Sequence, residues 1–275
     1  MASSVYEPHI IVDPLIPFWF HRDYRAPSHT AAPNWHTNIE ILRGEKGCGK
    51  VICDLKTYDF RPGELFVVNS GELHQINAGT GQLHYYCLIV DSKFCAENGI
   101  PTDETRFTEI IRSKKMLSLF DGVTKAYKEK GACRAARIRL AVLALLLALR
   151  EGYTAKPESP LDKREQLALN RVKAAMTYIR RHLDEALSLD DVAHAAGFSK
   201  YYLARTFKHY TGQTVFEYLN VVRCMEAKRR MEEGLTVAEA ATACGFCNLS
   251  YFTRTYKKYM GELPSADRRG KPAEK

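Results

Sequence analysis

Arg205 and Arg254 stand out because a near-repeat sets them at equivalent places. Tyr202-Leu203-Ala204-Arg205-Thr206-Phe207-Lys208 is echoed by Tyr251-Phe252-Thr253-Arg254-Thr255-Tyr256-Lys257. Upstream, Val192-Ala193-His194-Ala195-Ala196-Gly197-Phe198 is echoed by Ala240-Ala241-Thr242-Ala243-Cys244-Gly245-Phe246. The offset is 48 residues at Gly197/Gly245 and 49 at Arg205/Arg254, so the second turn carries one added residue. A guanidinium can hold the O6 and N7 of a guanine through two parallel hydrogen bonds. A lysine placed beside it suits phosphate, which supplies affinity without sequence preference.

Such groups need rigid elements to present them. In each copy a small residue (Ala193, Ala241) allows close helix approach, and a glycine (Gly197, Gly245) can take the positive φ of a tight turn. Phe198 and Phe246 are expected to plug the core between helices. The second helix of each copy starts near Ser199 or Asn248, both good caps. Its inner face is Leu203, Phe207 and Tyr210 in the first copy and Phe252, Tyr256 and Tyr259 in the second. That leaves Lys200, Tyr201, Ala204, Arg205 and Lys208 outward, and in the second copy Asn248, Leu249, Ser250, Thr253, Arg254, Lys257 and Lys258. Each copy is a helix-turn-helix, and these twelve residues are the expected contacts to double-stranded DNA. Between the copies a helix is predicted from about Val215 to Glu233, ending before Gly234. At ~1.5 Å per residue it spans roughly 28 Å, close to the roughly 34 Å repeat of the duplex. One chain would then read two successive major grooves.

Charge and cysteines bound the remaining choices. The chain carries 40 basic and 32 acidic residues, a formal charge of +8. Residues 170–275 hold 18 Lys/Arg against 12 Asp/Glu, and residues 1–150 hold 19 against 16. The excess is densest around the repeat, as a phosphate-facing surface requires, although a solvated basic surface has the same composition. The eight cysteines lack a framework spacing, and Cys244-x-x-Cys247 has no second pair. Pro8, Asp13, Pro14 and Pro17 interrupt any leader-like start, and the longest apolar run, Leu140 to Leu149, is ten residues. No membrane span is expected, and the cytoplasm is the expected location.

Residues 1–110 alternate short strand-like segments with turns. Ile39–Leu42, Lys50–Cys53, Glu64–Val68 and His84–Val90 are predicted strands, which suggests a small β-barrel or sandwich. From Phe107 the apolar period becomes helical, and Arg134 to Arg150 forms a helix apolar on most sides. Such a helix must be covered, either wholly within the chain or partly by the same helix of a second subunit. Gly152 to Gln166 reads as a polar linker. Asn170 to Asp184 is an amphipathic helix, and Ser188/Asp191, Thr214/Glu217 and Thr236/Glu239 mark helix starts. The expected fold has two domains: an all-β barrel with trailing helices over 1–151, a linker over 152–168, and an all-α double helix-turn-helix over 169–270.

On these residues, 170–269 resembles the DNA-binding domain of AraC/XylS-type transcriptional regulators. The signature lies in the second unit: Gly245-Phe246, Ser250-Tyr251-Phe252, Arg254, Tyr256-Lys257-Lys258, Gly261, Pro264 and Arg268. Leu263 and Asp267 depart from it, beyond the recognition helix, where they bear on C-terminal packing. In the N-terminal region His36-x-Asn38-x-Glu40, Gly63, and Asn69-Ser70-Gly71-x-x-His74-x-x-Asn77 resemble the half-motifs of a cupin barrel, the effector sensor of many such regulators. Metal-dependent cupins carry a further histidine where this chain has Asn38, so no metal, cofactor or catalytic residue is expected. His36, Glu40 and His74, with Trp35 and Tyr86, are instead expected to line a pocket for a small-molecule effector. The resemblance implies a sugar or similar polar molecule, and an arm at Phe18–His21 folding over the mouth. The leading reading is an activator that dimerises through the apolar 134–150 helix, with RNA polymerase as a partner. Two alternatives stay open: a metal-dependent cupin enzyme fused to a DNA-binding domain, and a regulator answering to a protein partner or to thiol oxidation.

Overall fold

Apolar residues on alternate positions of one strand can serve two cores, one on each face of a sheet. That is how the N-terminal unit of the computed structural model is built. The structure describes residues 15–27, 32–155 and 163–269. Eight strands occur among them: β1 (Phe18–Arg25), β2 (Ile39–Lys46), β3 (Gly49–Cys53), β4 (Lys56–Phe60), β5 (Leu65–Val68), β6 (His74–Ala78), β7 (Leu83–Val90) and β8 (Ile110–Ile111). They form a five-stranded sheet, β1-β7-β2-β5-β8, and a three-stranded sheet, β4-β3-β6, with every pairing antiparallel.

Leu42, Phe66, Val68, Tyr85, Cys87 and Ile89 from the larger sheet pack with Val51, Cys53, Phe60 and Ile76 from the smaller, filling the space between the sheets. On the opposite face of the larger sheet, Ile39, Ile41, Leu65, Val67, Leu88 and Val90 pack against helices. Those helices are α1 (Ser92–Glu97), α2 (Lys114–Lys128) and α3 (Arg134–Gly152). Phe18–His21 lies in β1, paired in register with β7 from Phe18/Val90 to Arg25/Leu83. The expected arm over the barrel mouth is therefore an edge strand at these positions, with Phe18 buried and Trp19 exposed. The residues before Leu15 lie outside those described.

α3 divides its apolar surface. Ile138, Val142, Leu145, Leu146 and Leu149 are fully buried within the unit, whereas Leu140 is 70% and Leu147 51% exposed.

The C-terminal unit is helical throughout: α4 (Lys163–Arg181), α5 (Leu189–Ala195), α6 (Lys200–Thr211), α7 (Val215–Glu232), α8 (Val237–Ala243), α9 (Leu249–Met260) and α10 (Pro264–Arg269). α4 begins inside the stretch read as a linker, because Lys163-Arg164-Glu165-Gln166 are good helix formers and extend the amphipathic helix backwards. Reciprocal capping boxes start α5 (Ser188/Asp191), α7 (Thr214/Glu217) and α8 (Thr236/Glu239), as the sequence indicates. Among the described residues the backbone divides into two compact units, one holding residues 15–27 and 34–155 and the other residues 32–33 and 163–269. Among the described residues no helix is long and apolar enough to cross a membrane.

Candidate functional site

The two helix-turn-helix units are α5–α6 and α8–α9, and their turns are set by glycine. Gly197 has φ +67° and Gly245 φ +76°, in the left-handed region where a side chain strains the backbone. Phe246 is buried at the second turn, but Phe198 is only half-buried at the first. Each ring instead meets an arginine from the preceding helix. Arg171 of α4 stands 5.6 Å from the centre of Phe198, and Arg223 of α7 stands 5.8 Å from that of Phe246, both within cation–π reach. Arg223 also donates from Nε to the backbone oxygen of Leu183 at 2.6 Å and from Nη2 to that of Glu185 at 2.7 Å. It thereby ties the second unit to the segment joining α4 and α5. This pair of bracing arginines escaped the sequence reading because their spacing, 52 residues, differs from the repeat's 48 and 49.

α6 and α9 bury the inner faces their sequences mark. Leu203 and Phe207 are buried in the first, while Tyr210 is half-buried with its hydroxyl donating to the Glu165 backbone at 3.2 Å. Phe252, Tyr256 and Tyr259 are buried in the second. The outer faces are open. Lys200, Tyr201, Ala204, Arg205 and Lys208 are exposed, and so are Asn248, Leu249, Ser250, Arg254, Lys257 and Lys258. Thr253 is half-buried and its hydroxyl donates to the Leu249 carbonyl at 2.9 Å. Asn248 uses its side-chain oxygen to cap α9, accepting from the Tyr251 amide at 2.9 Å. Ser199 holds the N-cap position of α6 but makes no such bond. Lys200 pairs with Asp190 at 2.7 Å, which raises its pKa. Arg205, Lys208, Arg254 and Lys257 have no ion pair among the described residues. The geometry thus offers four unneutralised cations on two matched helices, with Tyr201 at 89% exposure beside them.

In the N-terminal unit the cupin-like residues converge. His36, Glu40 and His74 are buried, at 1%, 4% and 5% exposure. Glu40 Oε2 lies 3.1 Å from Nε2 of His36 and 3.1 Å from Nε2 of His74, and Glu40 Oε1 accepts from the Cys87 thiol at 3.1 Å. The motif around them works as a staple. The amide of Gly71 (φ +78°) donates to the His36 carbonyl at 2.8 Å, Ser70 Oγ donates to the Thr37 carbonyl at 2.7 Å, and Asn34 and His74 exchange backbone hydrogen bonds. Asn69 exchanges hydrogen bonds with the backbone of Phe107, and Glu72 accepts from the Asn69 amide at 2.8 Å and from Arg106 at 2.6 Å. Burial raises the Glu72 pKa despite Arg106. Burial alone would raise Glu40 as well, but the two imidazoles outweigh it and hold its carboxyl well below the usual range.

One expected pocket residue sits otherwise. Tyr86 faces the helix side, stacked 5.8 Å from Phe20 and packed with the α2–α3 core; Tyr85 and Cys87 are the inward residues. The choice was one residue out of phase, and a one-residue slip reverses the face. Asn38 turns its side chain toward α1, where its Oδ1 accepts from the Ser92 amide at 3.1 Å. Trp35 is half-buried. Among the expected cluster, therefore, the structure brings together His36, Glu40 and His74, and adds Cys87.

Comparison with known families finds the same two parts in this chain. An AraC-like ligand binding domain matches residues 20–167, and a helix-turn-helix domain matches residues 192–270. An uncharacterized HTH-type transcriptional regulator, YbfI of Bacillus subtilis, is 26% identical over 75% of this chain and 76% of its own length. The HTH-type transcriptional activator AarP of Providencia stuartii is 30% identical over 41% of this chain and 84% of its own. A crystal structure of apo ToxT from Vibrio cholerae shares the fold, with a TM-score of 0.52 at 12% identity, covering 92% of this chain and 97% of that one. A strand-rich N-terminal domain, a C-terminal domain with two helix-turn-helix units, and family matches to both place this chain in the AraC family of transcriptional regulators.

Proposed function

We propose that the chain is a ligand-responsive transcriptional activator that reads two successive major grooves through α6 and α9. The observation that carries this reading is the matched, exposed pair Arg205 and Arg254, each on the outer face of a helix whose inner face is buried. Each arginine would read a guanine, while Lys208, Lys257 and Lys258 hold phosphates. The 18 residues of α7 span about 27 Å and fix the two units relative to the duplex repeat. The effector is a sugar or similar polar molecule held between the N-terminal sheets. The chain acts as a homodimer through α3, whose Leu140 and Leu147 face outward, and it works with RNA polymerase in the cytoplasm. The activator sense is supported by AarP, a relative named as an activator.

Footprinting on the DNA upstream of the protein's own gene tests the proposal. Two protected major grooves per protomer, altered by one sugar pool, are the expected result. Protection that no pool alters would overturn the effector reading and leave DNA binding. No protection at all would overturn the regulator reading.

A further inference from the structure

We infer that Arg223, seated on the connector between α4 and α5, fixes the direction of the second recognition helix relative to the first. A helical rod such as α7 sets how far apart its ends lie, but a rod held at one place can still tilt. Two attachments are needed to give α9 a direction as well as a distance.

The first attachment is Tyr218, in the opening turn of α7. Its buried ring meets Phe207 of α6 edge-on at 5.5 Å, and its hydroxyl accepts from Arg180 Nε of α4 at 2.8 Å. The second is Arg223, five residues further on and therefore about 7.5 Å along the axis. The carbonyls it grips, those of Leu183 and Glu185, lie between α4 and α5 and are joined directly to the first helix-turn-helix. Its guanidinium also lies over Phe246, at the turn of the second. Leu183 reaches across in the same sense: its side chain packs against the core built from Val221, Cys224, Ala240, Phe246 and Phe252. Gly245 completes the seat. A Cβ there would stand 2.8 Å from the Asp184 carbonyl oxygen and 2.9 Å from that of Leu183, so only glycine lets the second turn approach the connector this closely.

Two contrasts separate this joint from ordinary helix bracing. Arg171, the counterpart of Arg223, lies over Phe198 but makes no hydrogen bond among the described residues. The reach from one helix-turn-helix to the other is therefore not part of the repeat. Arg223 also makes no ion pair among the described residues; its charge goes to two neutral carbonyls. Charge-assisted bonds of this kind are strong, and the planar fork spans both oxygens where a lysine could serve only one. Half-buried and committed to backbone, Arg223 is a positioning residue that acts through α9.

A fixed joint has a consequence for spacing. One base pair inserted between two half-sites moves the second groove by about 3.4 Å and turns it by about 35°. A rigid pair of recognition helices cannot follow that change, whereas a loosened pair can. The spacing consequence rests on the two-groove reading proposed above; the joint itself is measurable without DNA.

The test uses the full chain carrying Cys48→Ser, Cys133→Ser and Cys247→Ser, with spin labels on His209→Cys of α6 and Lys258→Cys of α9, all exposed positions. Pulsed EPR should show one narrow distance distribution, broadened by Arg223→Gln and by Leu183→Ala, and less broadened by Arg223→Lys. Leu183→Ala loosens the joint from the other side, so it decides the matter if Arg223→Gln unfolds the second helix-turn-helix. A distribution that stays narrow and unmoved in both would overturn the joint. The second readout is binding to a duplex selected by the wild-type chain from a random-sequence pool, with and without one base pair inserted between the protected grooves. Insertion should weaken wild-type binding about 10-fold or more. Arg223→Gln should bind the uninserted duplex less tightly and lose most of that discrimination. Equal weakening on both duplexes would overturn the positioning role and leave Arg223 a support for folding. Broadened distances with no duplex selected would support the joint and overturn the two-groove reading.

Discussion

Arg205 and Arg254 do equivalent work only if their helices meet different grooves. Arg205→Ala and Arg254→Ala should each cost about 1–3 kcal/mol on a specific site and relax preference at base pairs roughly one turn apart. Binding measured on single-base variants of the protected site checks this; uniform weakening on all DNA would mean that both arginines touch only phosphate. The turn glycines are equivalent in sequence but not in surroundings. A Cβ on Gly197 would find only the Arg171 side chain, 3.8 Å away. A Cβ on Gly245 would lie 2.8 Å from the Asp184 carbonyl oxygen and 2.9 Å from that of Leu183. Both substitutions to alanine strain a positive φ, at about 1–2 kcal/mol. Gly245→Ala must also displace backbone, so it should lower stability clearly more than Gly197→Ala in chemical denaturation. Equal losses would show that the turn relaxes freely.

Helix α6 lacks a side-chain cap bond while Asn248 caps α9, and both helices also meet supports from outside their own units. α4 and α7 each lend an arginine to the ring at the following turn, and three capping boxes define where α5, α7 and α8 begin. α3 leaves Leu140 and Leu147 exposed on one side. Its buried stripe runs through Ile138, Val142, Leu145 and Leu149, so charging the opposite side leaves that packing alone. Leu140→Glu combined with Leu147→Glu should convert a dimer into a monomer in sedimentation experiments, with monomer stability changed by less than about 0.5 kcal/mol per substitution, as is usual for exposed positions. A variant that remains dimeric would place the subunit interface elsewhere.

At the scale of the molecule, the proposed function gives sensing to one unit and DNA reading to the other. A fragment of residues 161–275 should protect both grooves yet ignore any effector that alters the full chain's footprint. If the fragment protects only one groove, the N-terminal unit contributes to DNA docking. The basic excess around the repeat should make binding by either form fall steeply with salt, and Lys208→Ala should reduce the salt slope by about one.

The sequence by itself determined the helical repeat, its outward basic residues, the helix starts and the alternation of strands with turns. These follow from local rules: period, turn glycines and caps act over a few residues and leave a direct imprint. It also named His36, Glu40 and His74. Only the tertiary structure decided which side of β7 faces inward, because a single step of register exchanges Tyr86 for Tyr85 and nothing local fixes it. The bracing by Arg171 and Arg223, the role of Asn38 at α1 and the contact of Cys87 with Glu40 are likewise meetings of distant segments. The convergence of Nε2, Nε2 and Oε2 belongs with them: ring direction depends on the carbonyls of Asn38 and Glu72, whose positions the two-sheet packing sets.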